Sequence, residues 1–409
     1  MSKQAPRVLL IATNDTKQAE AAFLRQCLEA EGVDVIHLDA SIRRLVGTPE
    51  YGPAAVAAAA GSTIEDVRAL RHEGKCQEVM MEGARILAHE IDDQHRLSGI
   101  LGLGGSMGTT LATLAMRSFP YGLPKVMITT MASGFTAPFV GTSDIIMMNA
   151  VCDVAGINSI TRDIYRNGAL ATAGMARHYR GVPNSDAPVV LMGTLGTTEM
   201  CSHAIRTALE ERGFEVLVFH TLGGGGQTLD QIARERDVAV VIELSLVEIM
   251  DHLHGGLCSA GPDRGRSALR KGIPTIFVPG NCDFMVSGPI TDAQKRFPGK
   301  RYHIHNAALT AVRTESPELE NFAKHLADML TEAAGEVSVY VPLQGFSNHD
   351  STDGHLHDPS MPPILVEAFQ RNLSGRVPLN VVDAHINSHE FAEVIIAQVI
   401  AYAGAPVLP

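Results

Sequence analysis

The sequence predicts an α/β protein made of two Rossmann-like domains, each a mainly parallel sheet flanked by helices. Three observations indicate this class. Short β-branched runs alternate with longer amphipathic runs, which is the pattern of βαβ units. The chain has 409 residues, enough for two or three domains of roughly 150 residues each. Aromatic residues make up only 5%, so the core must come from aliphatic side chains, as in sheets buried beneath helices.

The first half of the chain opens with a predicted strand at 7–13 and a helix at 17–32. Ala21, Leu24 and Leu28 share one face of that helix, as a period of 3.6 residues requires. Later elements of this half follow the same alternation. They are strands at 33–39, 98–103 and 124–130, and helices at 75–95 and 107–118.

An internal similarity marks the start of a second sheet. The segments that begin at Val8 and Val189 align without a gap over a strand, a helix and a strand, at an offset of 181 residues. Either the chain contains a duplication, or two βαβ units look alike because their periods force the same pattern. The turn-rich segment 180–188 precedes the second copy and is typical of a linker. We therefore predict a nucleotide-binding domain over 1–184 and a substrate or regulatory domain over 185–409.

The second half continues with further strands and helices. Strands are predicted at 238–244, 273–280, 337–343 and 376–383, with a final helix at about 388–402. The segment 344–363 has turn residues and no clear period, and a long irregular segment in a compact domain is often functional.

Composition excludes several classes of function. The formal net charge of −12 disfavours nucleic-acid binding, which needs a basic face. No apolar run approaches the roughly 18 residues that a membrane span requires, so we expect no membrane association. The six cysteines show no CxxC spacing. A reduced, cytoplasmic location is the expectation.

A glycine cluster follows the strand at 98–103, in the sequence GLGGSMGTT. Backbone N–H groups at a helix start are unpaired and the helix dipole there is positive, so such a turn can hold a phosphate. Glycine also permits positive φ and close backbone approach. The cluster matches neither GxGxxG, because Met107 stands at the third glycine position, nor a Walker A motif. Phosphate binding and simple helix packing therefore remain as two interpretations of the glycine cluster.

Small hydroxyl residues and acids follow other strands of the same predicted sheet, where ligands bind in open α/β folds. Each could instead cap a helix. Asp15 could hold a metal or a ribose hydroxyl. The candidate cofactor-binding residues are Thr13, Asp15, Thr16, Lys17, Gly102, Gly104, Gly105, Ser106, Gly108, Thr109, Thr110, Thr130, Ser133, Gly134, Thr142, Ser143 and Asp144.

Nine motifs taken together resemble the ATP-binding family named after the tomato mosaic virus resistance protein. They run in order along the chain: ATNDTK, GLGGSMGTTLA, LPKVMITTMASG, VGTSDIIMM, CDVAGIN, VFHTLGGGG, CDFMVSGP, IHNAALTAVRT and HINSHEFA. The resemblance covers essentially the whole chain. It implies two Rossmann-like domains, an ATP site with possible Mg²⁺ at the glycine loop, and a homodimer. The family loop usually has glycine where Met107 stands, so a positive φ there would be strained and would weaken binding.

Polar clusters also mark the second domain. His303 and His305 fall on one face of a predicted strand, and such a pair could join Asp283 in holding a metal. No complete zinc signature is present, so no metal is assigned, and a metal-free polar cleft is the other reading. The candidate residues for a substrate in an interdomain cleft are Gly224, Gly225, Asn281, Asp283, His303, His305, Asn306 and His385.

Three functions are compatible with these features. The first is an ATP-binding protein that acts on or senses a small polar metabolite. The second is an ATP-bound regulatory module that binds a partner without catalysis. The third is a metal-dependent hydrolase that uses His303, His305 and Asp283, with a purely structural glycine loop.

Overall fold

The computed structural model describes residues 5–181 and 186–404. Two compact units divide the chain, Met1–Asn184 and Ser185–Pro409. The centre of the predicted linker, residues 182–185, lies outside the described residues. Each unit is built on its own parallel sheet with helices on both faces, which confirms the predicted α/β class.

The first unit follows the predicted alternation of strands and helices. A 3₁₀ turn at Thr130–Ser133 follows β4. The strands are β1 Arg7–Ala12, β2 Asp34–Asp39, β3 Gly99–Gly104, β4 Lys125–Thr129 and β5 Ile146–Asn149. The helices are α1 Asn14–Ala30, α2 Pro53–Ala59, α3 Ile64–Ala69, α4 Glu73–His95, α5 Ser106–Arg117, α6 Ala137–Val140 and α7 Ser159–His178.

The first sheet has the order β2-β1-β3-β4-β5, and every pairing is parallel. Strands β1 to β4 are largely buried, as parallel strands covered by helices on both faces are, whereas the edge strand β5 is more exposed. In β1, Leu9 and Ile11 enter one core, while Val8 and Leu10 enter the core on the opposite face. The order reverses between β1 and β3, which places the ends of these two strands side by side.

The second unit is larger and contains two sheets. The strands are β6 Val189–Thr194, β7 Glu215–His220, β8 Val240–Ser245, β9 Thr275–Gly280, β10 Phe284–Ser287, β11 Tyr302–Ile304, β12 Thr310–Arg313, β13 Val337–Pro342 and β14 Leu379–Val382. The helices are α8 Glu199–Glu210, α9 Gly224–Glu235, α10 Val247–His254, α11 Arg266–Lys271, α12 Ile290–Arg296, α13 Ser316–Leu330, α14 Met361–Asn372 and α15 His389–Ala403.

The main sheet of this unit has the order β14-β13-β9-β8-β6-β7 and is parallel throughout. Its first five strands in sequence repeat the order of the first sheet, with a reversal between β6 and β8. The structure agrees with the alignment of the two segments, since β7 begins 181 residues after β2. A three-stranded antiparallel sheet, β10-β12-β11, is additional and was not predicted.

In the part of the chain that the structure describes, no helix combines the length and apolar character needed to cross a membrane.

A buried charge network holds the second unit together. The Arg264 guanidinium donates two hydrogen bonds to Glu243, at 2.5 and 2.6 Å, and one from Nε to Glu248 at 2.6 Å. Asp230 lies 3.6 Å away and accepts from the amides of Gly265 and Ser267. All four side chains are almost fully buried. One guanidinium faces three carboxylates, and backbone amides donate to Glu248 and Asp230, so these hydrogen bonds offset part of the cost of taking the charges out of water.

We predict that Arg264→Met strongly destabilises the protein. The substitution leaves Glu243 and Glu248 buried without a counter-charge, which costs about 3–5 kcal/mol. Arg270→Met is the matched control, because Arg270 makes only exposed ion pairs with Asp263 and Glu332, worth about 1 kcal/mol or less. Urea unfolding followed by circular dichroism measures both. Equal midpoints for the two variants would show that the network is dispensable.

Candidate functional site

The ends of β1 and β3 form the first candidate site. At this edge of the sheet the chain enters α1 after β1 and α5 after β3. Since the strand order reverses here, both helices begin beside the same crevice, which is where ligands bind in open α/β sheets. The glycine cluster occupies the turn between β3 and α5.

The glycines of this turn permit close packing rather than unusual backbone angles. A Cβ on Gly104 would lie 2.8 Å from the Cα of Gly108, and one on Gly102 would lie 2.5 Å from Met127 Sδ. Neither glycine has a positive φ, nor do Gly105 and Gly108. A Cβ on Gly105 would meet nothing within 4 Å. The turn therefore requires glycine at 102 and 104, while Gly105 borders open space.

The first turn of α5 presents unpaired backbone donors. Among the described residues, the N–H groups of Ser106, Met107 and Gly108 have no acceptor, and no side chain caps the helix. The first bond of the helix runs from the Thr109 N–H to the Gly105 carbonyl, at 2.8 Å. Three N–H groups and the positive end of a 12-residue helix dipole thus face the crevice.

Met107 does not disturb this turn. It is the second residue of α5 with no positive φ, its side chain is exposed, and its carbonyl accepts a 3.0 Å bond from Gln77 Nε2. The strain that a positive φ at this position would cause therefore does not arise. An ordinary helical conformation suits any residue here, so a glycine is not needed.

The start of α1 differs from that of α5, because its backbone N–H groups already donate hydrogen bonds within the protein. The Asn14 N–H donates to Asp39 Oδ1 at 2.9 Å, and the Asp15 N–H donates to Ser41 Oγ at 3.0 Å. Lys17 has φ −130° and ψ 25°, which interrupts the helix. No described residue forms an ion pair or hydrogen bond with the Lys17 ammonium. This strand end contributes a free cation rather than free amides.

A cavity of about 650 Å³ joins these features. It is lined by part of the predicted set, namely Thr13, Asp15, Thr16, Lys17, Gly104, Gly105, Ser106 and Gly108. Three arginines that the sequence interpretation missed, Arg43, Arg68 and Arg71, also line it. With Lys17 they outnumber the two lining carboxylates, Asp15 and Glu73. The cavity is therefore locally cationic in a protein of net charge −12.

The remaining predicted residues of this unit do not line the cavity. Gly102 is buried within β3, Thr109 bonds to Thr129 Oγ1 at 2.6 Å, and Thr110 bonds to the Ser106 carbonyl. Asp144 forms a 2.7 Å ion pair with the buried Lys125. The others lie on the turns after β4 and α6: Thr130, Ser133, Gly134, Thr142 and Ser143.

In the second unit, the glycine-rich start of α9 already holds a carboxylate. The N–H groups of Gly223 and Gly226 donate to Glu248 Oε1, at 2.6 and 3.0 Å. A Cβ on Gly225 would lie 1.8 Å from the His220 carbonyl oxygen, so this glycine serves packing. Gly224 has open space around it. The anion that such a loop can bind is here an internal side chain.

Three predicted residues of the second unit, Asn281, Asp283 and His385, converge beyond β9, β13 and β14. Asn281 Nδ2 donates to Thr197 Oγ1 at 2.5 Å. Ser347 links the other two: its hydroxyl donates to Asp283 Oδ2 at 2.7 Å, and its carbonyl lies 3.1 Å from His385 Nε2. Burial and the neighbouring Asp350 carboxylate raise the pKa of Asp283.

His303 lies in β11 of the antiparallel sheet, and His305 and Asn306 follow that strand. The strand ends at Ile304, so His303 and His305 do not share a strand face as predicted. The His303 ring packs on His349 and His355, with ring centroids 4.3 and 4.9 Å apart. Asn306 Oδ1 accepts from Ala308 and Leu309 and so stabilises a turn.

Within residues 5–181 and 186–404, no group of three or more His, Cys, Asp or Glu side chains is arranged to hold a metal ion. Asp283 Oδ2 accepts from the Ser347 hydroxyl and lies 3.9 Å from the Arg313 guanidinium, while the buried Oδ1 has no hydrogen-bond partner among the described residues. The hydrolase hypothesis therefore has no metal-binding geometry among these residues to support it.

Fold and site together define a protein of two doubly wound α/β units, with a cationic, glycine-walled cavity at the switch point of the first. Models of one family match both units, at residues 6–181 and 187–403. They are the N-terminal and C-terminal domains of the uncharacterised protein family UPF0261. The chain belongs to this family.

Relatives of this chain occur in bacteria and in a plant. A UPF0261 protein of Clostridium tetani is 33% identical over 394 residues, covering 94% of this chain and 96% of the relative. A UPF0261 protein of Brucella suis is 30% identical, covering 95% and 93%. The ToMV resistance protein Tm-1 of tomato, Solanum lycopersicum, is 29% identical over 96% of this chain and 55% of its own length.

Among solved structures, this chain is similar to a putative UDP-N-acetylglucosamine 2-epimerase from Listeria monocytogenes. The similarity covers 67% of this chain and 79% of the epimerase chain. Identity is 12% and the TM-score is 0.24, too low to inform the function of this chain.

We predict that the histidine cluster of the second unit makes stability pH-dependent. Burial, with repulsion from His303, His305 and His355, lowers the pKa of His349 to about 4. The unfolded value is about 6.5, so the folded state binds fewer protons between these values. Stability is complete above pH 6.5 and falls as the pH drops toward 4. The expected loss at pH 5 is about 1 kcal/mol, allowing for solvent screening.

The measurement compares melting temperatures at pH 7.5 and pH 5.0. His349→Gln should reduce the difference between them, because the variant has no proton to take up at this position. His389→Gln is the control, since His389 is an exposed side chain at the start of α15. An unchanged difference in the His349 variant would contradict the prediction.

Proposed function

We propose that this protein binds ATP in the cavity of its first unit and uses it in acting on, or sensing, a small polar metabolite. The observation that carries the proposal is the free donor set: three unpaired N–H groups at the start of α5 face a cavity that Lys17 also lines. Backbone amides at a helix start, together with a nearby ammonium, suit phosphate oxygens. The resemblance of the nine motifs to the family named after the tomato mosaic virus resistance protein implies the same ligand.

The cavity is also large enough for a nucleotide, and a carboxylate that lines it could bind the accompanying Mg²⁺. Its volume of about 650 Å³ lies in the usual range for small-molecule sites. Ala40, Ile42 and Leu111 give it an apolar wall for the non-phosphate part of the ligand. Mg²⁺ prefers one or two carboxylates combined with substrate phosphates. Asp15 would be its protein ligand, and the ion would neutralise phosphate charge.

We expect Gly105→Val to abolish ATP binding while the protein remains folded. A side chain at this position would project into open space rather than into the protein. It would therefore keep phosphate away from the amides of Ser106 and Met107. Isothermal titration with ATP and Mg²⁺ measures the loss.

Gly196→Val is the matched control for this variant. Gly196 follows β6 in the second unit, and a Cβ there also meets nothing within 4 Å. The affinity of the Gly196→Val variant for ATP should equal that of the unaltered protein. No heat from the unaltered protein at millimolar ATP, together with an unchanged melting temperature, would refute the proposal.

The second unit is the proposed site of the metabolite. Asn281, Asp283, Ser347 and His385 lie where parallel strands end, and the buried Oδ1 atoms of Asn281 and Asp283 have no hydrogen-bond partner among the described residues. A regulatory module that holds ATP without turnover is the alternative. Release of ADP or phosphate in the presence of small acids or sugars would exclude that alternative.

We also propose that the protein is a cytoplasmic homodimer. Strand β5 is an edge strand of the first sheet, and exposed apolar side chains lie on it and near it: Ile146 at 47% and Phe135 at 76%. Such an edge favours association with a second chain. We expect sedimentation to give twice the mass of one chain, and Ile146→Lys to shift it toward the monomer. A monomeric unaltered protein would contradict this prediction.

A further inference from the structure

A group of polar side chains spans the switch point of the second unit. The strand order reverses between β6 and β8, and Asn281 follows β9, the strand on the other side of β8. Asn281 Nδ2 donates to Thr197 Oγ1 at 2.5 Å, and Thr197 lies in the turn after β6, so this bond crosses the end of β8. Because Thr197 is half-exposed, the Asn281 amide lies one side chain below the surface. In open α/β sheets this crevice is where ligands bind.

The hydrogen-bond donors of this group are already used. Asn387 Nδ2 donates to the Thr197 carbonyl and to Asn348 Oδ1, at 2.9 and 2.8 Å. His385 Nδ1 accepts from the Asn387 N–H, so the proton of the neutral ring is on Nε2, which donates to the Ser347 carbonyl at 3.1 Å. A ligand carboxylate or phosphate would have to compete for these donors.

The acceptors of the group, in contrast, are left over. Asn281 Oδ1 and Asp283 Oδ1 have no hydrogen-bond partner among the described residues, and both side chains are 0% exposed. The two residues lie against the same short segment, since the Asn281 N–H donates to the Phe346 carbonyl and Asp283 Oδ2 accepts from the Ser347 hydroxyl. A buried acceptor that lacks a donor is unfavourable. The site therefore suits a ligand group that donates hydrogen bonds.

The charge of Asp283 narrows the class of donor. Asp283 and Asp350 share one buried guanidinium, that of Arg313, which lies 3.9 Å from Asp283 Oδ2 and 3.3 Å from Asp350 Oδ1. Burial and the Asp350 carboxylate accordingly raise the pKa of Asp283. Burial also lowers the pKa of His385, so this ring does not supply a positive charge. A cation beside Asp283 Oδ1 would be stabilised, because two carboxylates face one guanidinium.

We propose that the second unit binds its metabolite through a protonated primary amine, which donates hydrogen bonds to Oδ1 of Asn281 and Oδ1 of Asp283. This inference rests on the proposed metabolite site of the second unit and names the chemical class of the ligand. An ammonium group has three donors and no acceptor, so it satisfies both oxygens without needing the donors that are already used. It enters past Thr197, whose half-exposed side chain can change rotamer.

The experiment follows the melting temperature of the full chain during titration with four probes at equal ionic strength. Ethanolamine carries a primary ammonium group and should raise the melting temperature as its concentration increases. Ethylene glycol has a hydroxyl in place of the ammonium group, choline keeps the charge without an N–H donor, and potassium chloride supplies an inorganic cation. An equal rise with any of these three, or no rise with ethanolamine, would overturn the inference.

A pair of variants tests the role of the carboxylate. Asp283→Asn removes the charge, and it should weaken the response to ethanolamine roughly tenfold or more. Asp383→Asn is the matched control, because Asp383 is an exposed residue that follows β14 at the same edge of the sheet. This control should respond to ethanolamine as the unaltered protein does. Equal responses of the two variants would contradict a role for Asp283.

Two variants of Asn281 repeat the test if Asp283→Asn folds poorly. Asn281 has a φ of 61°, in the left-handed region that glycine adopts freely and aspartate tolerates. Asn281→Gly removes the acceptor and should weaken the response to ethanolamine roughly tenfold. Asn281→Asp keeps an acceptor oxygen and should retain the response. An equal loss in both variants would assign Asn281 a purely structural role and overturn the inference.

Titration of the same samples with ATP separates this inference from the proposed ATP site. If the unaltered protein binds ATP but does not respond to ethanolamine, the amine class is overturned while ATP binding stands. If ethanolamine raises the melting temperature through Asp283 and ATP does not bind, the ATP proposal falls and the amine site stands.

Discussion

The close approach of strand β3 to the first turn of α5 is the constraint on which the candidate site depends. Because Gly104 has no Cβ, Gly108 can pack against it, and the helix begins two residues after the strand ends. A longer connection would turn the helix start away from the sheet edge. The short one aims three unpaired amides at the crevice between β1 and β3. Close packing and the presence of unpaired amides are therefore one property of this turn.

The second unit satisfies the amides at the start of its glycine-rich helix α9 with a side chain of its own. It repeats the strand order of the first, yet the amides at the glycine-rich start of α9 donate to Glu248, and Arg264 pairs with that carboxylate. A glycine-rich loop is therefore not by itself evidence of an external ligand. What distinguishes the two units is whether the protein supplies its own anion. The first unit does not, and its cavity remains open and cationic.

The fold could be predicted because the pattern of each element is local. Periods of two and 3.6 residues, with Gly32 as a stop, locate β1, α1 and β2 to within a few residues. Short elements with weak patterns were not predicted from the sequence. Examples are α2, β5 and the antiparallel sheet. That sheet has strands of only three or four residues, and its pairing depends on contacts between β10 and β12, some 25 residues apart in the chain.

The site could be predicted only where its residues adjoin a strand end. The turns after β1 and β3 were identified in this way, but Arg43, Arg68 and Arg71 reach the cavity from the segment between β2 and α4, which has no strand-end signal. The proximity of Arg68 and Arg71 in RALRHEGK was an available hint for two of them. Met107 shows the opposite limit: comparison with a family pattern marked it as a defect, whereas its helical φ makes the missing glycine irrelevant to the backbone.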